Sequence, residues 1–357
     1  MRNANTEQFE IVCCLELGDA QVYNHLMPLA KHPLVSKIWI IRSRKPAFGV
    51  IPKSECITTD NNFRPLRWLQ MLRECRRLAK RPQVKAFLSF NPIPYGLIAA
   101  AAARPYHKPV HYGFIGTDWY RILKGPVGLV LRPLLRRGAF FTVTGNTMKR
   151  DMIEQHFDEN RIVILPHSID LDIFQVSDPN KADYSFVFVG RLIPGKRVDI
   201  ILKAFKANLN QHPQARLCIV GEGPDRQKLE SLGSRLGIAD AVDFIGYSNE
   251  VANLLRRARI IVMASDQEGL PFALVEAMCS GLVPITTPAG TICDLVKHEY
   301  NGLLIPCRDV NGLAQAMSRL LKDSGLYWTL RRNVLLSREE FSYSWAVQVW
   351  DRWLSRC

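Results

Sequence analysis

The sequence predicts two α/β domains in tandem, each a doubly wound parallel sheet. Three observations carry that expectation. Apolar strand-like runs alternate with helical patterns along the whole chain, the signature of parallel architecture. Most of those runs are continuously apolar, as strands covered on both faces are. The chain's 357 residues also exceed what one hydrophobic core usually organises.

In the first half, strands are expected at 11–17, 37–41, 84–89, 110–114, 140–144 and 162–165. In the second half they are expected at 184–189, 216–220, 242–245, 260–264, 283–286 and 302–305. About six per half suffices for a doubly wound sheet. The polar, proline-bearing segment 171–183 breaks the pattern and reads as the linker. The domains are therefore placed at 1–172 and 173–340, followed by a C-terminal helix within 341–357. That last stretch sets Phe341, Trp345, Val349, Trp350, Trp353 and Leu354 at helical spacing.

Composition narrows the class. Hydrophobic residues are 47% and charged residues 22%, an ordinary globular balance. No apolar run reaches membrane-spanning length, and the opening residues lack a signal-peptide core. Nine cysteines lie scattered without metal-ligand spacing, which fits buried thiols in a reducing cytoplasm. Charge is uneven: residues 1–170 hold 25 Lys and Arg against 13 Asp and Glu, and residues 171–357 hold 22 against 20. A partner attracted by charge should lie against the first half. Two segments, 63–85 and 121–137, interleave arginines with Leu and Trp and read as elements for an anionic membrane surface. The same pattern equally describes helices burying those apolar side chains in their own core. No nucleic-acid recognition motif accompanies the charge, so no nucleic-acid partner is expected.

The richest segment is SDQEGLPFALVEAMCSGLVPITTPAG, residues 265–290. Glu268 and Glu276 stand eight positions apart. Gly269, Leu270 and Pro271 interrupt the chain between them, and a short helix follows from Phe272 to about Ser280. Pro271 suits a first helical turn and Gly281 a helix end. Glu268 then lies on a loop and Glu276 on the second helical turn. A helix N-terminus favours an anion, and carboxylates beside it would accept from hydroxyls. A nucleotide sugar offers both groups. Earlier, Gly190, Arg191 and Lys196 follow a strand, at the sheet edge where α/β folds bind ligands. An arginine fork and a lysine charge suit a diphosphate.

Taken in order, Val189-Gly190-Arg191-Leu192 with Lys196, Ile219 to Pro224, Val242 to Gly246, the Glu-x7-Glu block and Asp294 to Pro306 resemble the retaining glycosyltransferases of the GT-B fold, family 4, of the glycosyl transferases group 1. The resemblance covers roughly half the chain. It implies two Rossmann-like domains facing a central cleft, a final helix returning to the first domain, and transfer with retention by a hexosyltransferase needing no metal or cofactor. Arg191 and Lys196 would hold the donor pyrophosphate, Gly221 and Gly223 would pass near the nucleotide, and Gly246 and Tyr247 would edge the base. Glu276 would accept from the ribose and Glu268 would contact the transferred sugar, with Gly269, Leu270 and Pro271 shaping that turn. On the acceptor side stand Gly18, Gly116 and Thr117, with Asp118 as a further catalytic candidate.

Four departures from the family pattern stand out. Ile115 replaces the usual His before Gly116, and Gly18 stands alone where a Gly-Gly turn is typical. Arg197 follows Lys196 where Gly is usual. Ala289-Gly290 replaces Gly-Gly, which puts a positive φ at Ala289 in doubt. His111, inside a strand, reads as a packed histidine. The expected function is sugar transfer from a UDP- or GDP-sugar to a glycan or lipid-linked acceptor in envelope, exopolysaccharide or lipopolysaccharide synthesis, by a cytoplasmic enzyme peripheral to the membrane. The alternative is a non-catalytic membrane-surface binding protein on a degenerate GT-B scaffold.

Overall fold

The computed structural model describes residues 7–45, 50–116 and 118–357, apart from the side chains of Asp118 and Arg121. The chain divides into two compact units. Unit 1 takes the chain up to Ser168 together with Tyr343–Cys357, and unit 2 is Ile169–Ser342.

Unit 1 is built on strands β1 (Phe9–Cys14), β2 (Val35–Arg42), β3 (Ser54–Thr58), β4 (Val84–Ser89), β5 (Val110–Phe114), β6 (Phe140–Val143) and β7 (Ile162–Ile164). They form one parallel sheet in the order β3-β2-β1-β4-β5-β6-β7. Unit 2 has β8 (Tyr184–Val189), β9 (Leu217–Val220), β10 (Val242–Gly246), β11 (Ala258–Met263), β12 (Val283–Thr286) and β13 (Leu303–Leu304). Their order is β10-β9-β8-β11-β12-β13, again all parallel. The winding direction reverses between β8 and β11, the place in an open α/β sheet where ligands generally bind. Apolar clusters fill both faces of each sheet, which explains the unbroken apolar runs.

Every expected strand is present, and β3 is an addition. Its sequence, SECIT, is polar and half-exposed because it lies on the sheet edge. An edge strand needs only one neighbour and tolerates charge. Glu55 there accepts from Lys37 Nζ at 2.6 Å.

The segment read as a linker is anchored in unit 2. The Ile169 N–H donates to Phe341 O at 2.7 Å. Arg338 Nη2 donates to the carbonyls of Leu171 at 2.9 Å and Phe174 at 3.2 Å. The buried Arg331 guanidinium donates to Ser177 O at 2.5 Å and to Gly281 O. These arginines satisfy carbonyls that an extended, polar stretch would otherwise leave to water.

The C-terminal helix Tyr343–Leu354 lies in unit 1 against helix Asp19–Lys31, where Tyr343 Oη donates to Asn24 Oδ1 at 2.7 Å. Trp353 stacks on Phe140 with ring centres 5.4 Å apart. Trp350 sits edge-on to His111 at 4.9 Å. His111 is packed, as read: Nε2 lies 2.9 Å from Thr142 Oγ1, and burial pushes its pKa down to about 3.

Candidate functional site

The loops at the carboxyl ends of β8 to β11 interlock through glycines. After β8 the chain runs through Gly190, Arg191 and Leu192 into a single tight turn, Pro194–Lys196. The Leu192 N–H donates to Glu222 O at 2.8 Å, and the Gly221 N–H donates to Gly246 O at 2.8 Å. Gly221 has φ +140, and a Cβ there would stand 1.9 Å from Gly190 O. At Gly223 a Cβ would meet Leu192 O at 2.2 Å. Neither position admits a side chain, so three loops approach backbone to backbone. Gly246, at φ +83, leaves room for Arg226, which donates to Glu222, to Glu230 Oε1 at 2.8 Å and to Phe244 O at 3.2 Å. Tyr247 follows, exposed.

Arg191 is exposed and forms no ion pair among the described residues. Lys196 is half-buried, and its ammonium donates to Glu268 Oε1. Ser265 Oγ donates to the same oxygen at 2.6 Å. Asp266 N–H donates to Gly195 O at 3.0 Å, tying the 265–268 loop to the turn that carries Lys196. Arg308 grips Asp266 with two bonds of 2.9 and 3.0 Å, and those bonds hold the Asp266 carboxyl below its ordinary range.

Arg197 adopts φ +54 and ψ +38. The left-handed turn that glycine usually supplies is therefore kept, with an arginine in it. Gly290 also has positive φ, +60, and a Cβ there would stand 1.8 Å from Glu268 O. Left-handed backbone thus falls on Gly290 and not on Ala289, which is buried.

Gly269 and buried Leu270 lead to Pro271, which caps helix Phe272–Cys279 with φ −72 and ψ 128. The helix begins one residue after the proline. Gly281, at φ +82, ends it. Glu276 lies on the second turn. Burial pushes its carboxyl up to about 7, and it has no hydrogen-bond partner or counter-charge among the described residues. A half-buried carboxyl raised by desolvation and left without a partner marks Glu276 as a candidate site residue.

In unit 1, Gly18 is the residue before helix Asp19–Lys31, with φ −59. The loop around it is held by Arg42, a fully buried side chain that sequence reading passed over. Arg42 donates to Asp19 Oδ1 at 2.7 Å and to Leu17 O at 2.9 Å. Gly116 has φ +122 just beyond β5, after half-buried Ile115. Thr117 and the side chain of Asp118 lie outside the described residues.

The basic segments divide. Helix Arg64–Ala79 buries Met71, Cys75 and Leu78, while Phe63, Leu66, Trp68 and Leu69 are exposed beside Arg64, Arg73, Arg76 and Arg77. Helix Pro126–Leu135 exposes Val127, Leu129, Val130 and Leu134. Among the described residues no helix is long and apolar enough to cross a membrane.

Residues 170–334 match the family described as glycosyl transferases group 1. The match runs through nearly all of unit 2, which is similar to that family. The group 1 match takes in Arg191, Lys196, Glu268 and Glu276 together. An exopolysaccharide phosphotransferase of Streptomyces coelicolor is 33% identical over 173 residues, 47% of this chain and 18% of that protein. A UDP-Gal:alpha-D-GlcNAc-diphosphoundecaprenol alpha-1,3-galactosyltransferase of Escherichia coli is 29% identical over 188 residues, 48% of each. The chain thus spans half or less of the length of these curated relatives. Among solved structures, Anabaena HepE in complex with UDP and glucose superposes with a TM-score of 0.77 at 18% identity, covering 98% of this chain and 100% of that one. The two parallel-sheet Rossmann-like units are those of the GT-B fold.

Proposed function

We propose that this chain is a retaining glycosyltransferase that moves a hexose from a nucleotide-diphosphate donor to a glycan or lipid-linked acceptor in envelope polysaccharide synthesis. The observation that carries the reading is the convergence in unit 2 of Lys196, Glu268 and the glycine-locked loops after β8, β9 and β10. Arg191 and Lys196 neutralise the leaving diphosphate, the part a divalent cation plays in other transferases. Glu276 accepts from the ribose and Glu268 from the transferred sugar, while Gly221, Gly223, Gly246 and Tyr247 border the nucleotide. In a front-face reaction a diphosphate oxygen takes the acceptor's proton, so no separate general base is required. HepE was solved with UDP, which supports a uridine donor here.

Unit 1 takes the acceptor, with Gly18, Gly116, Thr117 and Asp118 on that side. The E. coli relative's name includes a diphosphoundecaprenol-linked sugar, which supports a lipid-linked acceptor here. The exposed Leu, Val and Trp side chains set among arginines fit the surface of an anionic membrane, with each basic residue near the leaflet adding about 1 kcal/mol. A thermal-shift screen against UDP, GDP, ADP and their sugars tests the reading, because a ligand bound only by the native state raises the melting temperature. One nucleoside diphosphate should raise it; no response to any of them would remove the donor site.

A further inference from the structure

Lys196 is engaged within the protein itself. Its ammonium and the Ser265 hydroxyl both donate to one oxygen, Oε1, of Glu268. Oε2 has no hydrogen-bond partner among the described residues. The pair is sheltered, with the Lys196 and Glu268 side chains 17% and 10% exposed. Ser265 is fully buried, and its own carbonyl accepts from the buried Thr287 Oγ1 at 2.6 Å. Glu268 is therefore gripped at its carboxylate by a rigid hydroxyl and a flexible ammonium.

One ammonium cannot serve two anions at full strength. A diphosphate arriving at Lys196 meets a carboxylate of like charge in a partly desolvated place, where such repulsion is poorly screened. Lysine can leave: it is a point charge on a four-carbon stem with rotatable donors. Ser265 cannot, because its side chain is short and its backbone is held by Thr287.

Building on the donor-site reading above, we propose that Glu268 is an internal competitor for the donor's diphosphate, and that Ser265 is the positioning residue that keeps Glu268 seated after the exchange. When the diphosphate takes Lys196, Oε1 keeps the Ser265 bond. The lone pairs freed on Oε1 and those on Oε2 then accept from hydroxyls of the transferred sugar. A loaded donor offsets the broken ion pair with those new bonds. A bare nucleoside diphosphate breaks the pair and gains nothing at Glu268. The arrangement thus discriminates between the loaded donor and the spent product, and hastens release of the latter.

The test measures dissociation constants by calorimetry for the pair that the thermal-shift screen selects: UDP and UDP-glucose, GDP and GDP-mannose, or ADP and ADP-glucose. Glu268→Gln should bind the bare diphosphate about tenfold tighter than wild type, equivalent to about 1.4 kcal/mol, and should lose the preference for the sugar form. Ser265→Ala should leave bare diphosphate affinity within about twofold, weaken the nucleotide sugar about tenfold, and lower kcat for its hydrolysis. Glu268→Ala serves in place of E268Q if the latter melts early. Bare diphosphate bound no tighter by the Glu268 variant, or equal losses for both ligands in Ser265→Ala, would overturn the exchange while leaving the donor site standing. Wild-type protein that binds none of the diphosphates would overturn the donor site and the exchange with it.

Discussion

Gly290→Ala should separate the geometry of the loop that carries Glu268 from its charge. Gly290 sits at φ +60 with its missing Cβ aimed at Glu268: an added carbon would stand 1.8 Å from Glu268 O, 2.8 Å from Glu268 C and 3.3 Å from Gly269 O. Non-bonded heavy atoms settle at about 3.5 Å or more, so the Glu268 carbonyl must retreat by roughly 1.7 Å. The left-handed backbone alone costs a residue with a side chain about 1–2 kcal/mol. Overpacking adds about 1–3 kcal/mol if the loop holds its place. The loop is pinned by Ser265 and Lys196 at the Glu268 carboxylate and by Asp266 at Gly195, so part of the strain stays in the folded state. The rest appears as displacement of Glu268, and a misplacement near 1 Å can cost about 100-fold in turnover. Urea unfolding and nucleotide-sugar titration should be run on the same variant. The expectation is a stability loss of about 2–4 kcal/mol together with at least tenfold weaker nucleotide-sugar binding. A variant equal to wild type in both would show that Gly290 is not what holds Glu268.

Glu276 gives a pH dependence with a definite sign. Its pKa is raised from 4.5 to about 7 in the folded protein, so the folded state keeps a proton that the unfolded chain has released. That contribution to stability is complete below about 4.5 and is lost as pH rises through about 7. Glu276→Gln should flatten the decline, read as urea midpoints at pH 5 and pH 8. If Glu276 accepts from the ribose, diphosphate binding near pH 7 should also release a proton, seen as a buffer-dependent calorimetric enthalpy. Arg191→Ala and Lys196→Ala should each weaken diphosphate binding by about 1.5–3 kcal/mol with melting temperatures preserved, and unchanged titrations in both would refute the assignment. Replacing Arg73, Arg76 and Arg77 by Gln should reduce sedimentation with anionic vesicles, most clearly at low salt, without altering diphosphate affinity. Equal binding by wild type and the triple variant would make that helix an ordinary solvated face.

The parallel strands were legible because burial on both faces writes itself as an unbroken apolar run. β3 was not, because an edge strand bears only one neighbour and its SECIT sequence carries half-exposed polar groups. The Glu-x7-Glu block and the helix after Pro271 were readable from spacing and turn chemistry, with the start at Phe272 as expected and the end within one residue. What escaped were side chains whose partners lie far along the chain. Nothing near Arg42 in sequence announces that it clamps the loop at Leu17 and Asp19. Ser265 gave no signal of its bond to Glu268, and the 72-residue gap between Lys196 and Glu268 hides their pairing. Arg197 shows the opposite limit. An arginine stands where glycine is usual, yet the backbone there is left-handed and the arginine bears its cost.

The placement of Trp350 and Trp353 sets an order of events during synthesis. Unit 2 is one continuous stretch, Ile169–Ser342, whereas unit 1 is closed by Tyr343–Cys357, which follows unit 2 along the chain. Until those two tryptophans emerge, Phe90, His111 and Phe140 lack the rings that cover them. The usual progression, in which the amino-terminal domain finishes first, is therefore inverted. Unit 2 can complete its core on the nascent chain, while the basic half keeps an uncovered apolar face until the helix beyond unit 2 has been made.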